Sequence, residues 1–98
     1  MVTFSFIQFG ENLGTRQLGK VAREKLMPLL NDDEKVVLDF TGINVVSNSF
    51  ADECIAKLLI DMPLETLKAR TTFKGLNPLA ENCVLTAIKR RYAALCMA

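Results

Sequence analysis

The chain has 98 residues, half of them hydrophobic, with 12 Lys+Arg against 11 Asp+Glu, three cysteines, and neither histidine nor tryptophan. One core fits that length, and a formal charge of +1 gives no overall field of the kind that phosphate-backbone binding uses, so nucleic acid is not an expected partner. The missing histidine removes Ser-His and Cys-His nucleophile pairs, imidazole general-base chemistry and His-ligated zinc, and neither a metal nor a cofactor is expected.

Val2 to Phe9 reads as a strand, with Phe4 and Phe6 on one face. Gly10 to Gly14 breaks it. Thr15 is placed to cap a helix whose apolar positions Leu18, Val21, Ala22, Leu26 and Leu29 recur at steps of three and four. Gly19 in that helix suits close packing on the sheet, and Pro28 is expected to end the helix near Met27 or kink it before Leu30. Asn31 to Glu34 is a polar turn. Lys35 to Phe40, KVVLDF, reads as a parallel strand covered on both faces, followed by a loop from Thr41 to Asn48.

A second helix follows, with Ala51, Cys54, Ile55, Leu58, Leu59 and Met62 at helical spacing behind a Ser49 cap, and Pro63 ends it. Ser49 and Asp52 have capping-box spacing, and Asp52 and Glu53 complement the positive end of the helix dipole. Leu64 to Arg70 is a connector of about one helical turn. Thr71 to Leu76 reads as an edge strand. Asn77 and Pro78 open a third helix with Ala80, Cys83, Val84, Ala87 and Ile88 on one face, and Lys89, Arg90 and Arg91 are expected at its C-terminal end.

The order β-α-β-α-β-α predicts a single α/β domain over residues 1–98, a sandwich with a mostly parallel sheet in strand order 2-1-3 and helices on both faces. Cys54, Cys83 and Cys96 are odd in number and form no CxxC pair, so they read as small apolar helix residues in a reduced, cytoplasmic protein. No leader is read at the start, and no apolar run approaches the ~18 residues of a membrane span.

The residues LGTR (Leu13 to Arg16), LDFTGI (Leu38 to Ile43) and SFADE (Ser49 to Glu53) carry a resemblance to STAS domains, the fold of bacterial anti-sigma-factor antagonists. They resemble more closely the STAS-like group DUF4325. In the antagonists an Asp-Ser-Ser-Gly motif opens the second helix, and its second serine is phosphorylated by a partner kinase. Here Ser47, Asn48, Ser49 and Phe50 occupy those places, so the resemblance implies Ser49 as phosphoacceptor. Ser47 replaces the aspartate and Phe50 the glycine.

The expected function is a non-enzymatic regulatory module that binds a histidine-kinase-like ATPase or anti-sigma-type partner. The contact would run through Asn48, Ser49, Phe50, Asp52 and Glu53, with Arg16 and Asp39 beside them. Arg16 is expected to reach Asp39, Asp52 or an anion, and Asp39 to tie down the loop that follows it. Ile60 turns outward and forms a contact patch with Phe50. The alternative from another class is a small-anion or nucleotide binder, or an enzyme, using Arg16, Asp39, Ser49 and Asn77 at the rim of the strand ends. A homodimer through a free edge of the KVVLDF strand is a third reading.

Overall fold

A computed structural model describes residues 1–32 and 35–97. In chain order the elements are β1 (Val2–Ser5), a 3-10 turn (Phe6–Phe9), β2 (Asn12–Leu13), α1 (Arg16–Asn31), β3 (Val36–Asp39) and β4 (Val45–Val46). There follow α2 (Asn48–Ala51), a π turn (Asp52–Ala56), α3 (Leu58–Asp61), α4 (Leu64–Arg70), β5 (Thr71–Lys74) and α5 (Pro78–Met97). The helical run over residues 48–61, made of α2, the π turn and α3, is called the middle helix below. The polar turn expected at Asn31 to Glu34 lies partly outside the described residues.

The main sheet is parallel, with β3 between β1 and β5, and its register aligns Phe4 with Leu38 and Phe73. This corrects the expected 2-1-3 order, because the KVVLDF strand is central and has no free edge for a homodimer. It also corrects the expectation of helices on both faces. Two crossovers that advance the same way across a sheet, with the same hand, lay their helices on one face. Burial agrees: Val36, Leu38 and Phe40 are buried, whereas Val37 and Asp39 between them are half-exposed. The layer on the covered face has the middle helix flanked by α1 and α5.

Aromatic rings join the sheet to this layer. Phe6 stacks on Phe40 with centroids 4.1 Å apart, and Phe50 meets Phe6 edge-on at 6.1 Å. All three are fully buried. The chain leaves β1 earlier than expected, since Phe6–Phe9 forms a 3-10 turn in which the Gln8 amide donates to the Ser5 carbonyl. Phe4 and Phe6 face inward in either conformation, so their pattern could not tell strand from turn.

Thr15 caps α1, its hydroxyl accepting from the Leu18 amide. The helix runs past Pro28 to Asn31 and buries Leu30, whose carbonyl accepts from the Arg70 guanidinium. Val21 is half-exposed, outside the buried stripe of Ala22, Leu26 and Leu30. Gly19 faces the middle helix and not the sheet, and a Cβ there would stand 3.0 Å from Glu53 Cβ. The Leu64 to Arg70 connector is a full seven-residue helix. Asn77 caps α5 as expected, accepting from the Ala80 amide, but α5 continues to Met97. Lys89, Arg90 and Arg91 are therefore mid-helix. Cys54 is buried, which pushes its thiol up to about 12, Cys83 is half-buried, and Cys96 is exposed, so only the first is a core residue.

Candidate functional site

The loop after β3 is held by a second, two-stranded parallel sheet, in which Asn12 and Leu13 pair with Val45 and Val46. The Ser47 amide donates to the Leu13 carbonyl at 2.9 Å, which keeps Ser47 extended, and the helix starts at the next residue. Ser47 is consequently the cap, its hydroxyl accepting from the Phe50 amide at 3.0 Å. This overturns the Ser49 cap and its capping box with Asp52. Ser49 lies in the first turn, exposed, and its side chain makes no hydrogen bond among the described residues.

Asp52 and Glu53 open the π turn, marked by the Lys57 amide donating to the Asp52 carbonyl five residues back. They point to different neighbours. Asp52 faces α5, where Arg91 grips it with two bonds of 2.6 and 3.1 Å. Glu53 faces α1, accepting from Arg23 at 2.9 Å, and pairs with Lys57 at 2.8 Å. Arg16 bridges the two acids, its Nη1 standing 3.0 Å from each. Two acids thus join three helices through four cations.

Burial alone would raise both carboxyls. For Asp52 the hydrogen bonds from Arg91 and Arg16 outweigh it, and for Glu53 those from Lys57 and Arg16 do, so both sit below the usual carboxylate range. The Arg16 guanidinium is raised in turn, first by Asp52 and then by Glu53.

A cavity of about 230 Å³ opens beside this cluster, lined by Arg16, Asn48, Ser49, Asp52, Thr86, Ala87 and Arg90. It brings together four of the expected residues: Arg16, Asn48, Ser49 and Asp52. The others separate. Phe50 is fully buried among the core rings, because its ring fills the space under the sheet, so it forms no surface patch with the exposed Ile60. Glu53 is 4 % exposed and acts as a buried tie between helices. Asp39 accepts from the Thr41 amide and hydroxyl at 2.9 and 2.6 Å, as expected of a loop tie, and those bonds lower its carboxyl. Asn77 accepts at the α5 cap and donates to the Ile43 and Asn44 carbonyls. Asp39 and Asn77 are thus committed to local structure, away from Arg16 and Ser49.

Arg23, Lys57, Arg90 and Arg91 were not singled out for this site by sequence. The Glu53 to Lys57 step of four was a readable signal, whereas the arginines arrive from other helices. Among the described residues no His, Cys, Asp or Glu group could hold a metal, and no helix is long and apolar enough to cross a membrane.

A small parallel sheet with helices on it makes this an α/β domain, an architecture consistent with a STAS-like domain. Residues 19–80 match the family described as the STAS-like domain of unknown function (DUF4325), more than half of the chain, and the chain belongs to that family. No curated protein and no solved structure matches it.

Proposed function

We propose that this chain is a non-enzymatic regulatory module that docks a protein partner with the surface at the start of the middle helix, and that Ser49 is the switch on that surface. The observation that carries the reading is the Ser49 hydroxyl, exposed on a cavity that Arg16 and Arg90 also line and without a hydrogen bond among the described residues, while Ser47 does the capping. The partner is a histidine-kinase-like ATPase of the anti-sigma type. In the transfer the Ser49 oxygen bonds to the γ-phosphorus of ATP held by the partner, the bond from that phosphorus to the β,γ-bridging oxygen breaks to release ADP, and the hydroxyl proton passes to a base of the partner.

The phosphate adds nearly two negative charges at a helix start that already holds Asp52. Arg16 and Arg91 offset Asp52, and Arg90 makes no ion pair among the described residues, which supports a site tolerant of the new charge. The test is intact-mass analysis of the chain after incubation with such an ATPase and ATP, together with binding of the Ser49→Asp variant. One added phosphate and weakened binding are expected. No phosphate, with unaltered binding by Ser49→Asp, would overturn the switch.

A further inference from the structure

We propose that a second surface, on the α1 side of the π turn, is a binding site for a phosphate or polyphosphate group. A shallow basin of about 350 Å³ there is lined by Arg16, Gln17, Lys20, Arg23, Glu53 and Lys57, four cations against one carboxylate. Both oxygens of the carboxylate are already paired. Its Oε1 takes Arg16 and Lys57, and its Oε2 takes Arg23. Arg16 is also shared with Asp52, so at least two units of positive charge remain in one concavity of a chain whose net charge is +1.

The donors have capacity to spare. Lys57 meets Glu53 through one ammonium with three donors, and Lys20 is exposed with no ion pair among the described residues. The first turn of α1, which supplies Arg16 and Gln17, has no acidic residue to offset this charge. A multiply charged oxyanion matches the surplus and the fork geometry of the arginines better than a single carboxylate does. The basin differs from the Ser49 cavity, with which it shares Arg16 alone.

The test is calorimetric titration of the full chain at low ionic strength with inorganic pyrophosphate, ATP and a phosphoserine peptide, against sodium chloride at matched ionic strength. Pyrophosphate or ATP is expected to bind, with Lys20→Ala weakening the affinity about threefold and Lys20→Glu about tenfold. Both variants should keep the parent melting temperature, because Lys20 is exposed and outside the ion-pair cluster. Ser49→Ala should bind as the parent does, which separates this site from the switch. Binding of the peptide alone, lost in Lys20→Glu, supports a phosphate site and assigns it to a phosphorylated protein. No binding of any probe up to about 5 mM, or binding that Lys20→Glu leaves unchanged, overturns the proposal.

Discussion

On the α1 flank of the π turn, the Glu53 side chain is 5 % exposed and both its oxygens are taken, whereas on the α5 flank Asp52 is 23 % exposed and stands one turn from Ser49, whose side chain makes no hydrogen bond among the described residues. Both acids use the same Arg16 and both are held below their ordinary titration range. Burial separates their roles. A buried carboxylate has no water to replace a lost partner, so Glu53 ties α1 to the middle helix. The exposed flank keeps water as an alternative, and among the described residues its Ser49 hydroxyl makes no hydrogen bond and its Arg90 no ion pair.

Truncating Phe50 gives the sharpest test of where the exposed flank ends. Phe50→Ala should cost about 4 kcal/mol in urea denaturation, since the ring is fully buried against Phe6. A loss below about 1 kcal/mol would return Phe50 to the surface. Next, Glu53→Gln should cost about 3 kcal/mol by leaving Arg23 and Lys57 without their acid, while Arg16 keeps Asp52, and Asp52→Asn about 1 kcal/mol because water reaches that pair. Equal losses would erase the contrast between the flanks.

Acid should expose the same difference. Both folded carboxyls lie below their ordinary values of 3.8 for Asp52 and 4.5 for Glu53, so their contribution is complete above those values. It is lost as the pH falls through the lowered folded values, where both states become protonated. Thermal melts across this range should show the parent losing stability in acid and Glu53→Gln losing less. The smallest effects are at the serines. Ser47→Ala should cost about 1 kcal/mol as a lost cap, and Ser49→Ala should stay within about 0.5 kcal/mol in the same denaturation experiment.

Much of the local structure was legible. Thr15 and Asn77 cap as their residue types predict, Asp39 binds its own loop, and the apolar steps of the middle helix and α5 mark their buried sides. The alternation in KVVLDF, with Lys35, Val37 and Asp39 against Val36, Leu38 and Phe40, already held the sign of a sheet covered on one face. It was masked by the two adjacent valines. The Arg16 to Asp52 contact was within reach of sequence reasoning, but the Arg91 grip on Asp52 needed α5 to run past the cationic run to Met97.

The sequence by itself determined the alternation of strands and helices, two of the helix caps and the family, and it pointed to Ser49 as the residue of the proposed switch. These are properties of neighbours within a few positions, set by side-chain period and hydrogen-bonding type. Only the tertiary structure decided that Ser47 and not Ser49 caps the middle helix, because pairing of Leu13 with Val46 holds Ser47 extended. It also decided which acid is buried and that four cations share one basin, since those charges lie up to 41 positions apart along the chain (Arg16 and Lys57, 57 − 16) and meet where helices pack side by side.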